Sequence, residues 1–328
     1  MKEVKYLVFV LIILTACAQQ NDPFKPEEIL QVETYYQTGG FARDLAISDN
    51  LLFVAADQAG FSIFNRENGQ QLTNYYETFE NARLIDYVAR DSLLFIYDRY
   101  GEFAGIRIFD VANPTEPAEQ MLLTGRNVDA LKCSSNDAGN IDIITTADNK
   151  IKYGEYDGVF WYSYFTSFYN AVEGFDLDDN YFYVCGEQLG IYISEKASGN
   201  LVTIFDTPGS SLAVKKVDNF LFVANKQEGI SIIDISQLEQ PEEVFWQDTS
   251  GYAQNLDIYA NFLAVASGGG GVYLFDISDV HNTEFLDRVD DSKIGYTYQV
   301  KFFDGALYAA TKTGAYKLKI NTKNLGVK

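Results

Sequence analysis

The sequence predicts an all-β chain, a seven-bladed β-propeller whose N-terminal strand closes the last blade. Three observations carry that expectation. A strand–turn–strand unit recurs, as Leu45 to Ala55 (LAISDNLLFVA), Val214 to Ala224 (VKKVDNFLFVA) and Leu256 to Ala266 (LDIYANFLAVA). A glycine then opens an alternating apolar strand at Gly60, Gly105, Gly190, Gly229, Gly271 and Gly314, with Lys150 in its place in a divergent copy. Those marks fall at intervals of roughly 39 to 45 residues, the period of a propeller blade of short strands. Finally, aromatic residues make up 15% of the chain and proline only 6 residues, a mix that suits pleated, half-buried surfaces. No window carries the 3.6-residue apolar period of an amphipathic helix.

Each element of the unit has a physical reading. Asn50, Asn180, Asn219 and Asn261 precede the second strand, where an asparagine tolerates a tight turn. The recurrent glycine is expected to take a positive φ or to let two backbones approach closely. Apolar alternation such as Ile230-Ser-Ile-Ile-Asp buries one or both strand faces between neighbouring blades. The outer strand follows the third, as in Gln71-Leu-Thr-Asn-Tyr, Leu201-Val-Thr-Ile-Phe and Glu242-Glu-Val-Phe-Trp. The last copy leaves almost no chain after Ile320, whereas Ile29 to Tyr36 has the outer-strand pattern and is expected to complete blade 7. Closure of that kind leaves no blade with an unpacked face. The seven-blade count rests on Ile141 to Tyr156 forming a blade of its own.

The N-terminus reads as an address. Lys2 and Lys5 precede an apolar run, Tyr6 to Leu14, that is too short to span a bilayer, and Leu14-Thr15-Ala16-Cys17 follows at once. These residues resemble the signal and lipobox of a bacterial lipoprotein. The resemblance implies cleavage before Cys17, a diacylglycerol on its sulfur and an acyl chain (palmitate or similar) on the new terminus. Several chains anchor stably where one is marginal. Residues 1–16 are then a leader, 17–28 a lipidated cysteine and polar tether, 29–322 the propeller and 323–328 a tail. Ala18 is unlike the aspartate that holds such proteins at the inner membrane, which implies an outer-membrane lipoprotein.

The strands Gly229-Ile-Ser-Ile-Ile-Asp-Ile-Ser, Gly271-Val-Tyr-Leu-Phe-Asp-Ile-Ser and Gly105-Ile-Arg-Ile-Phe-Asp-Val resemble the LVIVD repeat of bacterial and archaeal surface proteins. The resemblance spans most of residues 42 to 319. It implies a β-propeller at the cell surface and assigns no chemistry.

The chain carries a net charge of −21, which disfavours nucleic acid and anionic membrane surface as partners. One histidine, His281, lies in a link between strands, with no second histidine or nearby cysteine for a metal. Gly268 to Gly271 lacks the helix and Lys-Ser/Thr of a phosphate loop and reads as a flexible hairpin. Asp176-Leu-Asp-Asp-Asn starts like a calcium loop but lacks the later glycine and glutamate, and reads as a solvated turn. Cys133 and Cys185 read as buried free thiols. No cofactor is expected.

Two groups of residues remain as candidate sites. Arg43, Arg83, Asp129, Glu173, Gln254 and Gln299 align at the start of the innermost strands and are expected to line the channel. Asp129 and Glu173 fall on adjacent blades, so a hydrolytic carboxylate pair is conceivable there. Tyr156, Phe160, Trp161, Tyr162, Tyr164 and Phe165 flank an Asp157-Gly158 turn in the outer strands of blade 3 and are expected to form an interaction rim. The reading is a non-catalytic, lipid-anchored binding or scaffold protein that meets the membrane through Cys17 and envelope proteins or glycans through its propeller. The alternative is a propeller hydrolase or lyase acting at the channel mouth.

Overall fold

A computed structural model describes residues 28–125, 127–159, 161–167 and 172–322, with the side chains of 161–167 left undefined. The leader, Cys17, the tether and Phe160 lie outside the described residues.

The described residues form seven four-stranded antiparallel sheets. From channel to rim, blade 1 comprises Asp44–Ile47, Leu51–Ala55, Phe61–Asn65 and Gln71–Tyr75. The innermost strands of blades 2 to 7 are Ala82–Val88, Val128–Ser135, Phe175–Leu177, Ala213–Val217, Asn255–Tyr259 and Thr297–Phe303. The fourth strand of blade 7 is Leu30–Tyr36, which pairs antiparallel with Gly314–Ile320, Leu30 opposite Ile320 and Tyr36 opposite Ala315. The chain thus returns to its own start, and the backbone pairing of that strand ties the first blade to the last. The divergent segment makes a complete third blade: Val128–Ser135, Ile141–Ala147, Lys150–Tyr156 and Trp161–Ser167. There the Asp148-Asn149 pair, both at positive φ, replaces the glycine turn.

Burial explains why these residues form these strands. The second strands, such as Leu52-Phe-Val-Ala in blade 1, are buried on both faces because a blade lies on either side. Outermost strands alternate between exposed and partly buried. Each interface between neighbouring blades has its own apolar cluster, from Phe53, Ile63, Ile85 and Phe109 between blades 1 and 2 to Tyr36, Leu45, Tyr308 and Ala310 between blades 7 and 1. A fully buried Leu, Ile or Phe contributes roughly 1.5–3 kcal/mol.

The recurrent glycine fulfils both expectations at once. Gly229 has φ +72°, and a Cβ there would lie 2.2 Å from the Gln247 carbonyl oxygen; at Gly60 the φ is +68° and the clash is with the Tyr75 carbonyl at 2.1 Å. Only glycine lets the third strand begin under the outermost strand of its own blade.

Candidate functional site: the axial channel

The innermost strand of a blade is a sheet edge, so its N–H groups need partners other than another strand. In this chain they come from side chains of the preceding blade. Asp86 Oδ2 accepts from the Cys133 N–H at 2.7 Å, Asp176 Oδ2 from the Lys216 N–H at 2.9 Å and Asp257 Oδ2 from the Phe302 N–H at 2.7 Å. These aspartates stand on blades 2, 4 and 6. At the same register blades 3, 5 and 7 carry Lys132, Lys215 and Lys301. Each lysine also reaches forward by one blade. Lys132 Nζ lies 3.0 Å from Asp176 and Lys215 Nζ 3.2 Å from Asp257. Lys301 Nζ donates to the Leu45 carbonyl at 2.8 Å.

Seven is odd, so strict alternation of aspartate and lysine around the ring must fail once. It fails at blade 1, where Ala46 holds the position. Asp44, two residues earlier, does the bridging instead: its Oδ2 accepts from the Ile85 N–H at 3.0 Å and its Oδ1 from Gln299 Nε2 at 2.7 Å. Burial pushes the Asp44 carboxyl above its ordinary range, against the pull of Lys301 and those donors. Burial alone would lower Lys215, but the Asp257, Asp176 and Asp86 carboxylates outweigh it and hold its ammonium more firmly protonated. The ring encloses a void of about 400 Å³.

Three positions nearer the mouth the pattern is different. Arg43, Arg83, Asp129, Glu173, Leu212, Gln254 and Tyr298 occupy equivalent places, shown by shared pairing with the second strand. Five of the six expected channel residues therefore sit in one ring. The sixth, Gln299, does not: the bulge that places Arg83 and Asp129 at the mouth of blades 2 and 3 places Tyr298 there in blade 7, and Gln299 lies one step deeper, on Asp44. Of the expected six, Asp129, Gln254 and Gln299 line the void, while Arg43, Arg83 and Glu173 do not.

The mouth is electrically divided. Arg43 pairs with Asp57 at 2.7 Å and stacks on the Tyr298 ring at 4.3 Å. Asp57 also accepts from Asn81 Nδ2 of blade 2. Arg83 and Arg99 stand beside it on blade 2, and burial followed by the repulsion of Arg43 and Arg99 lowers the Arg83 pKa. On the adjacent blade 3, partial desolvation raises Asp129 although its surface is largely exposed, while Arg99 and Arg83 oppose the shift. Glu173 is pushed up to about 7 by burial, then by the Asp129 and Glu187 carboxyls.

Sequence reasoning missed Asp57, Arg99 and Glu187. They come from loops between second and third strands, where Asp57, Glu187, Lys226 and Gly268 share a left-handed backbone and each bridges to the next blade. That shared place, three residues before Gly60, Gly190, Gly229 and Gly271, was the available signal.

Several other expectations change. Tyr156 is not a rim residue: it is 5% exposed, packs with Phe95, Ile108 and Ile143 between blades 2 and 3, and donates to the Gly158 carbonyl. A strand residue pointing toward the neighbouring blade is core whatever its place near the edge. Phe160 and the side chains of Trp161, Tyr162, Tyr164 and Phe165 lie outside the described residues. Asp176 belongs to no solvated turn; it is a buried member of the ring, and Asp178 is the turn residue, accepting from the Asn180 and Tyr181 N–H groups. The Gly268–Gly271 hairpin is tightly packed rather than loose, since a Cβ at Gly270 would meet the Ser250 carbonyl at 1.7 Å. His281 is exposed in a single 3-10 turn. Cys133 and Cys185 are free and buried, and burial raises both thiols far above the reactive range. Among the described residues no His, Cys, Asp and Glu side chains gather in a metal-binding group.

Seven closed sheets around a charged axis define a β-propeller. The chain carries LVIVD repeats: residues 39–64, 208–249 and 250–291 match the model of that repeat, falling in blades 1, 5 and 6. Blade 2, with Gly105, is outside the match; its second-to-third-strand loop is longer, Arg99 to Ala104. The crystal structure of the computationally designed Ika8 protein is similar in fold, with a TM-score of 0.63 and 14% identity over 90% of this chain and 99% of that one. At that identity the likeness speaks for fold alone. No curated protein matches the chain.

Proposed function

We propose that this chain is a non-catalytic binding module of the cell envelope, held at the outer membrane through acyl chains on Cys17, that presents its propeller to protein or glycan partners. The observation that carries the reading is the channel ring. Asp86, Asp176, Asp257, Lys132, Lys215 and Lys301 are committed to joining one blade to the next. Groups so engaged hold the ring together and are poorly placed to react. The Leu14-Thr15-Ala16-Cys17 motif supports the anchor.

Two measurements test it. Labelling cells with an alkynyl fatty acid should tag the wild-type chain and leave Cys17→Ala untagged and released from membranes; a tagged or membrane-bound Cys17→Ala chain overturns the anchor. Affinity capture from native envelopes should recover a reproducible partner that Phe160→Ser, Trp161→Ser or Phe165→Ser loses. A partner retained by all three moves the interaction away from blade 3.

One observation favours the alternative of a channel-mouth hydrolase or lyase. A carboxyl near 7 at Glu173, beside Asp129, suits a general acid. On that reading Glu173→Gln abolishes turnover of an envelope glycan; on the binding reading there is no turnover to lose.

A further inference from the structure

The axial void has two unlike walls above the ring of aspartates and lysines. Two residues before each ring position, and so on the same strand face, blades 2 to 5 carry Leu84, Ala130, Gly174 and Ala213. Blades 6, 7 and 1 carry Asn255, Gln299 and Asp44 at that level. All seven line the void. Glycine or alanine on three consecutive blades leaves the space open. The wall is therefore apolar toward blades 2 to 5 and polar toward blades 6, 7 and 1. The void also reaches the mouth, where Asp129 and Gln254 border it.

The polar groups around the void are only partly spent. An ammonium has three N–H donors, and Lys132, Lys215 and Lys301 make one contact each, to Asp176, Asp257 and the Leu45 carbonyl. The Asn255 side-chain oxygen accepts from the Val300 N–H, which leaves its amide N–H groups free among the described residues. Gln254 and Gln299 donate to Tyr296 and Asp44, which leaves their side-chain oxygens free. The void thus offers unused donors and acceptors together.

Charge narrows the choice of occupant. Lys132, Lys215 and Lys301 line the same void as Asp44, Asp86, Asp129 and Asp176. An anion on the axis meets the carboxylates, and a cation meets the ammoniums. A hydroxyl both donates and accepts, so it serves either kind of partner without carrying charge. The volume, about 400 Å³, falls in the range of small-ligand pockets, roughly 300–1,000 Å³. A sugar ring combines hydroxyl edges with a C–H face, matching the polar and apolar walls.

We infer that the axial void is a binding site for a neutral sugar ring, its hydroxyls taken up by the ring lysines with Asn255 and Gln299, and its C–H face set against Leu84, Ala130 and Ala213. The inference rests on the binding-module reading above and seats a glycan in the channel.

The test uses the full chain in a sugar-free detergent and calorimetric titration at low salt. Glucose, galactose and mannose are each compared with their uronate and their 2-amino sugar, which put a carboxylate or an ammonium on the same ring. At least one neutral hexose should bind, tenfold or more tightly than both charged counterparts. Ala130→Leu and Ala213→Leu each push a side chain into the void and should weaken that binding at least tenfold. Circular dichroism of each variant establishes that it is folded, and Lys215→Met, which removes free donors and fills no space, should weaken binding severalfold. If no neutral hexose binds, if a charged counterpart binds as tightly, or if the leucine variants bind as wild type does, the inference is wrong. Capture of an envelope partner by Ala130→Leu should match wild type. Intact capture without hexose binding overturns the channel site and leaves the binding module standing.

Discussion

Two belts of the same seven strands, three positions apart, handle charge in opposite ways. In the deep belt every lysine finds an aspartate or a carbonyl one blade ahead, and Asp86, Asp176 and Asp257 each take a backbone N–H from the next blade. In the mouth belt Arg83 and Asp129 remain unbonded, with Arg99 near them from a loop, while the Asp129 and Glu187 carboxyls raise Glu173. Topology is common to both, so it does not account for the difference. Exposure does not either, since the Lys132 and Lys215 side chains are 47% and 40% exposed and those of Arg43 and Asp57 at the mouth 17% and 12%. Charge order does: aspartate and lysine alternate from blade to blade in the deep belt, whereas the mouth sets Arg43 beside Arg83 and Asp129 beside Glu173, like charges on neighbouring blades.

Substitutions in the two belts should separate these roles. The largest effect belongs to Asp257→Ala, which strands the Phe302 N–H and the Lys215 ammonium together; chemical denaturation should show a loss of about 2–3 kcal/mol. A loss below that of Lys301→Met would mean that the ring is ornamental.

Glu173→Gln probes the mouth through pH. The folded protein holds that proton up to about 7, whereas the unfolded chain releases it near 4.5. The folded state therefore binds more protons across that window, and stability falls as pH rises through it. The glutamine variant should lose this slope, gaining roughly 1–2 kcal/mol over wild type at pH 8 relative to pH 4, after allowance for solvent screening. Parallel melting curves across pH 4 to 8 would contradict the assignment.

Lys301→Met comes next. It removes one bond to a carbonyl and strands no charge, and about 0.5–1 kcal/mol should go. The smallest change is expected from Arg83→Gln. With no bond to lose and a repulsion to relieve, stability should stay within about 0.5 kcal/mol of wild type or rise slightly. A large destabilisation would show that the mouth, like the deep belt, is structural.

Much of the fold was legible because the blade repeats. Gly60, Gly190, Gly229 and Gly271 announced it, and the clash a Cβ would suffer at each explains why the mark is a glycine. The divergent third blade could be placed because strand patterns survived where the glycine did not. Arg43, Arg83, Asp129, Glu173 and Gln254 align on the repeat, but Gln299 lies one residue too far along: Tyr298 holds the bulge position that Arg83 and Asp129 hold in blades 2 and 3, and polarity alone pointed to the glutamine. Asp176 was read as a turn because acidic residues crowd there, and only the neighbouring blade, with Lys132 and the Lys216 N–H, gives it a buried role.

The sequence by itself determined the strands, their number and their grouping into blades, since these follow from local alternation and from a glycine that sterics impose. Tertiary structure decided which charges are paired. Lys132 and Asp176, or Asp257 and Phe302, are more than forty residues apart and meet only because adjacent blades place one strand edge against the next. Tyr156, close in sequence to the exposed turn at Asp157, is core for the same reason: burial in a propeller is set by the neighbouring blade, which the local sequence does not contain.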